Sequence, residues 1–210
     1  MRDYTKILKG RTVLDHVNLE LEAGQSYGFY GPNGCGKSML FRAIAGLIHP
    51  TTGTISVFGK ELGNDCSFPQ SMGLIIEHVG FWSYYTGFEN LKMLASIRNQ
   101  ITDKEIRKAL QRVGLDPDDT RTYKKYSLGM KQRLAIAQAI MESPDLIILD
   151  EPTNALDKNG VKQIRTLVQE EHGRGATILI ASHNQEDLRQ MCNCFYEMEE
   201  GSVQKGDLPQ

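Results

Sequence analysis

The sequence predicts an α/β fold built on a mostly parallel sheet and interrupted by a helical insertion. Three observations carry this. Short apolar runs of strand length alternate with stretches of helical period toward both ends of the chain. A glycine-rich loop, Gly31-Pro32-Asn33-Gly34-Cys35-Gly36, joins one such strand to one such helix. Between about residues 86 and 143 the alternation stops and only helical period is left.

The elements follow in order. Residues 13–21 alternate apolar and polar, with Val17, Leu19 and Leu21 on one side, as a half-buried strand does. Residues 22–24 turn the chain, 25–30 form a second strand, and a helix follows the loop over about 37–47. β-branched residues mark a strand over 53–58, and 73–76 is a short apolar one. In 88–98, Leu91, Leu94 and Ala95 fall at helical spacing. Thr102 and Glu105 form a capping box for a helix whose stripe is Ile106, Leu110 and Val113, stopped by Gly114. Ser127 starts a helix carrying Leu134, Ile136, Ala137 and Ile140, and Pro144 marks its end. Residues 146–150 and 177–182 read as buried strands, 160–172 and 186–192 as helices, and 195–203 as a closing hairpin.

Composition narrows the function. The 210 residues are 40% hydrophobic and 24% charged, an ordinary globular balance. The net charge of −2 gives no basic excess for nucleic acid. No apolar run approaches the roughly 18–20 residues of a membrane span, and the first ten residues lack the apolar core of a secretory signal. The four cysteines form no CxxC pair and are expected to be free thiols of a reducing cytoplasm.

The loop carries the chemistry. Gly31 to Ser38 matches G-x-x-x-x-G-K-[ST] between a predicted strand and a predicted helix. Glycines let backbone N–H groups turn inward around phosphate oxygens, and the helix N-terminus adds positive character. Lys37 is placed to neutralise β- and γ-phosphate oxygens and Ser38 to bind Mg²⁺. Cys35, beside Lys37 and a helix N-terminus, is expected to be a reactive thiol that bound ATP protects. The apolar strand 146–149 ends in Asp150 and Glu151: Asp150 suits the metal, and Glu151 suits a general base beside the γ-phosphate. His183, just past the strand 177–182, is a γ-phosphate sensor by position, since ligands gather at carboxyl ends of parallel strands.

Further motifs carry a family resemblance. Tyr126-Ser127-Leu128-Gly129-Met130-Lys131-Gln132-Arg133 resembles the signature sequence of ATP-binding cassette (ABC) ATPases. Asn154-Ala155-Leu156-Asp157 resembles that family's D-loop, and His183 matches its switch histidine. There are three departures. Only Ser127 and Gly129 match within the signature, Glu77 stands where the family has its Q-loop glutamine, and Leu8 stands where an aromatic usually stacks on adenine. As a group these features resemble bacterial ABC transporter ATPases associated with export of, or protection against, bacitracin and lantibiotics.

The resemblance implies one ABC ATPase domain over 1–210 with a P-loop NTPase fold. It has a RecA-like core and N-terminal antiparallel β subdomain (about 1–85 and 144–210) and a helical subdomain (about 86–143). Glu151, His183 and Lys37 would be catalytic. ATP would meet Gly31, Pro32, Asn33, Gly34, Cys35, Gly36, Lys37, Ser38, Met39 and Glu77, with Ser127, Leu128, Gly129 and Met130 from a second chain; Mg²⁺ would meet Ser38, Asp150 and Glu77. The implied partners are a second copy or a related ATPase subunit, joined head-to-tail through ATP, and a separate transmembrane permease, with no nucleic acid. The place is the cytoplasmic face of a bacterial membrane, and relaxed base selectivity is expected from Leu8. The cluster Phe81, Trp82, Tyr84, Tyr85 and Phe88 is read as the permease-facing rim, with Phe88 turned into the core. The chain, ending at Gln210, is expected to have no regulatory C-terminal domain. The alternative is a soluble ABC-type ATPase acting on a non-membrane partner. A P-loop GTPase is disfavoured because no Asn-Lys-x-Asp motif is present.

Overall fold

Period-two burial splits the apolar residues between two faces of one sheet. The computed structural model describes residues 1–77 and 80–208. In chain order it contains β1 (Arg2–Leu8), β2 (Arg11–Val17), β3 (Ser26–Tyr30), α1 (Lys37–Ile44), β4 (Thr52–Thr54), β5 (Ser56–Val57), β6 (Lys60–Glu61) and β7 (Met72–Ile75). There follow α2 (Gly87–Arg98), α3 (Asp103–Arg112), α4 (Leu128–Ile140), β8 (Leu146–Asp150), α5 (Lys158–Gly173), β9 (Thr177–Ala181), α6 (Gln185–Met191), β10 (Cys194–Glu199) and β11 (Ser202–Gly206).

The main sheet has the order β11-β10-β3-β9-β8-β7, parallel throughout except for β11. On β8 and β9, Ile147, Leu149, Ile178 and Ile180 face one way, toward Leu91 of α2, Ile106 of α3, Leu134 of α4 and Ile164 of α5. Leu146, Ile148, Leu179 and Ala181 face the other, toward Leu40 and Phe41 of α1 and Tyr4, Leu14 and Val17 of the first hairpin. Each fully buried Leu or Ile contributes about 1.5–3 kcal/mol, so both faces are strongly held. A smaller antiparallel sheet, β2-β1-β4, lies on the α1 side. Register sets the functional edge: Ala181 is level with both Phe29 and Asp150, so β3, β8 and β9 end together.

The α/β fold with a mostly parallel sheet is as expected, but several elements differ. The strand expected over 13–21 covers Arg11–Val17, and β1 precedes it unforeseen. The strand expected over 53–58 breaks at Ile55, because β4 pairs with β1 while β5 pairs with β6. α1 stops at Ile44, short of the expected 47, and Gly46 follows at φ 78°. α5 starts at Lys158, not Gly160, because the Asp157 side chain accepts the Gly160 N–H at 2.9 Å. The Thr102–Glu105 box forms, with Glu105 accepting the Thr102 N–H at 2.7 Å. A second box, Thr86 with Glu89, starts α2. Among the aromatics, Phe81 is buried in the core, edge-on to Tyr123, and Phe88 packs half-buried against the same core, beneath the Arg107 guanidinium. Trp82, Tyr84 and Tyr85 are exposed.

Candidate functional site

The loop after β3 turns through three left-handed glycines, Gly31 (φ 146°), Gly34 (φ 81°) and Gly36 (φ 114°). A Cβ at Gly31 would collide with the Met198 carbonyl, so the close backbone approach requires glycine there. Gly36 starts α1 with no side-chain cap, which leaves the helix N-terminus to the cleft. Lys37 folds back over the loop: Nζ donates to Gly31 O at 2.8 Å and Pro32 O at 3.1 Å. These are contacts that phosphate oxygens can replace. Cys35 is buried, with Sγ 3.7 Å from Lys37 Nζ.

Ser38 Oγ donates to Asp150 Oδ2 at 2.5 Å. Burial pushes the Asp150 carboxyl above its ordinary value, the Glu151 and Glu77 charges add to this, and the Ser38 hydrogen bond and Lys37 oppose it. Glu151 sits in the left-handed region (φ 51°), with its N–H bound to Ala181 O at 2.8 Å. Its carboxylate accepts the His183 N–H at 3.0 Å, meets His183 Nδ1 at 2.9 Å and accepts Ser182 Oγ at 3.3 Å. The acid at the end of β8 and the histidine beyond β9 are thus one hydrogen-bonded unit. Glu77, past β7, pairs with Arg42 of α1 at 2.8 Å.

A cleft of about 540 Å³ gathers Asn33, Gly34, Gly36, Lys37, Ser38, Met39, Glu77, Asp150 and Glu151. Gln132 and Asn154, which the sequence reading did not place in the site, complete its wall. Gln132 Nε2 donates to Glu151 O at 3.3 Å and Pro152 O at 3.2 Å. A second cleft of about 640 Å³ borders the same loop, lined by Pro32 and Cys35 with Arg11, Val13, Glu199 and Glu200. Leu8 lines neither cleft, and Tyr4 is buried with its hydroxyl on Ile48 O.

The signature residues lie elsewhere. Ser127, Leu128, Gly129 and Met130 line neither cleft. Ser127 caps α4 by accepting the Met130 N–H at 3.2 Å, Leu128 is exposed, and a Cβ on Gly129 would press on Ala155 O.

The family model described as ABC transporter matches residues 14–154. The ABC transporter ATP-binding protein YybJ of Bacillus subtilis (strain 168) is 46% identical over 203 residues, covering 97% of this chain and 93% of that protein. The bacitracin transport ATP-binding protein BcrA of Enterococcus faecalis is 40% identical over 201 residues, 95% of this chain but 65% of BcrA. A solved dimeric ATP-binding cassette, MJ0796 bound to ADP and Pi, matches with a TM-score of 0.88 at 22% identity, covering 100% of this chain and 98% of that one. At that identity the match establishes the fold.

Proposed function

The chain belongs to the ABC transporter family, and from that premise we propose that it binds and hydrolyses Mg–ATP to power a separate membrane permease. The observation that carries this is Glu151, which lines one cleft with Ser38, Asp150 and Lys37 and is hydrogen-bonded to His183. Lys37 and the N–H groups of loop and α1 hold the β- and γ-phosphates, and the nucleoside lies in the second cleft against Arg11 and Val13. Glu151 takes a proton from the attacking water as its oxygen bonds to the γ-phosphorus. The β–γ bridging oxygen leaves with its electron pair on ADP. His183, oriented by Glu151, faces the phosphate released.

The oxygen donors Ser38, Asp150 and Glu77 fit magnesium, which prefers hard ligands and takes few from protein when phosphates supply the rest. Among the described residues no cluster of three or more His, Cys, Asp or Glu side chains offers a fuller metal cage. Bound there, the ion would neutralise β- and γ-phosphate charge.

Ser127 and Gly129 sit at an exposed helix N-terminus, suited to close over the phosphate of a second copy, or of a related ATPase subunit, in a head-to-tail dimer. Exposed Trp82, Tyr84 and Tyr85 form the face for the permease. No helix among the described residues is long and apolar enough to cross a membrane. Membership of the transporter family supports the membrane's cytoplasmic surface as its place. The name of BcrA supports a peptide antibiotic of the bacitracin kind as cargo.

The test is Glu151→Gln. We expect retained ATP binding, lost hydrolysis and an ATP-stabilised dimer on size exclusion. Hydrolysis at the parental rate would refute the assignment of the base.

A further inference from the structure

Arg42 stands in the last turn of α1, the helix whose first turn carries Lys37 and Ser38. Its Nη2 lies 2.8 Å from Glu77 Oε1, and Glu77 shares the cleft wall with Ser38, Asp150 and Glu151. The cleft is thus lined by three carboxylates, Glu77, Asp150 and Glu151, and by one ammonium, Lys37. A nucleotide's phosphates would add further negative charge to that wall. The third carboxylate adds to that repulsion, and Arg42 is the cation in contact with it. The guanidinium also fixes the carboxylate on a backbone turn held at φ 59°, a conformation that few non-glycine residues adopt. The charge of Glu77 is felt at Asp150, whose carboxyl it helps push upward, so the pair and the Ser38–Asp150 unit share one field.

We propose that Arg42 is a positioning residue that holds Glu77 as a neutralised pair and yields its carboxylate to the divalent cation entering with the nucleotide. This rests on the Mg–nucleotide reading above. Arg42 and the cation then compete for one carboxylate. Without metal, Arg42 shields the phosphates from Glu77. With metal, the pair must open, and Arg42 opposes part of the metal's gain. Arg42 therefore lowers the metal dependence of nucleotide binding, and only Glu77 transmits that effect.

The readout is the ratio of the dissociation constant of a fluorescent ATP analogue without metal to that with Mg²⁺, which needs no turnover. In Arg42→Ala the ratio should rise about three- to tenfold, the range of a half-exposed ion pair facing further charge. Arg42→Lys, which keeps the charge, should restore it to within about twofold. On a Glu77→Gln background, Arg42→Ala should leave the ratio unchanged. An unchanged ratio in Arg42→Ala alone, or an equal rise on the Glu77→Gln background, would overturn the proposal while leaving the nucleotide reading intact. If the parental protein binds no analogue with or without Mg²⁺, both fall. Circular dichroism of each variant confirms that the fold is kept. Should Arg42→Ala fail that control, Arg42→Gln carries the same test.

Discussion

Asp187 offers the sharpest test of how the site is held. It is 2% exposed, on α6, four residues past His183. Its Oδ2 accepts the Thr153 hydroxyl at 2.6 Å, and its Oδ1 accepts Arg165 Nε at 3.2 Å and Nη2 at 2.6 Å. It therefore ties the turn after Glu151 to α5 and to the helix after His183. Asp187→Ala strands a guanidinium and a buried hydroxyl. Breaking a buried pair costs about 3–5 kcal/mol. The Arg165 side chain is 27% exposed and can reach water, so part of this is recovered. The Thr153 hydroxyl adds about 1 kcal/mol. A net loss of about 3 kcal/mol lowers the melting temperature by about 6–12 °C for a chain of this length. Differential scanning calorimetry reads this directly. Asp187→Asn, which keeps an acceptor for Thr153, should lose less. A melting temperature within about 2 °C of the parent in Asp187→Ala would refute the argument.

The other predictions concern packing, protonation and the α4 contact. A Cβ on Gly73 would overlap the Ala139 carbonyl, so Gly73→Ala must push α4 off β7 and cost about 3 kcal/mol or more in urea unfolding. Gly173→Ala, with open space around it, should be neutral or slightly stabilising. Burial raises the Asp150 carboxyl, so the folded state binds its proton more tightly than the unfolded chain does. Its contribution to stability is present at low pH and lost as pH rises through the raised value; at neutral pH Asp150→Asn should therefore raise the urea midpoint of metal-free protein. By the same sign, acidification through that raised value should weaken Mg²⁺-dependent nucleotide binding, because the metal needs the ionised carboxylate. Gln132→Ala removes two hydrogen bonds to the Glu151 and Pro152 carbonyls and should lower the hydrolysis rate more than the affinity for ATP, as separate kcat and binding measurements would show.

What the sequence discloses about the fold depends on how local its cause is. β8 and β9 are legible because they are buried on both faces and read as continuous apolar runs. β1 is hidden because its burial is confined to Tyr4 and Thr5 while Ile7 and Leu8 stay exposed, so no alternation is visible. The break at Ile55 is hidden for another reason: a change of pairing partner leaves no mark on the strand's own residues. The Thr86–Glu89 box, by contrast, carried a readable signal in its spacing.

The site divides along the same line. Lys37, Ser38, Asp150, Glu151 and His183 converge because each follows or ends a parallel strand, and level strand ends bring such residues to one edge. That convergence is a consequence of topology, so motifs far apart in sequence can be placed together before any coordinates are known. Arg42, Gln132 and Asp187 are polar residues on helices, and polar residues at such spacing usually face water. What distinguishes them is the neighbour each meets: Glu77, the Glu151 carbonyl and Thr153 respectively. Each neighbour lies on, or two residues from, a group that strand-end logic or the family motif had already brought to the cleft. The residues that make the chemistry are therefore set by the sheet, and those that hold them are set by helix packing against it. The second set becomes readable only once the crossing of helix and strand is known.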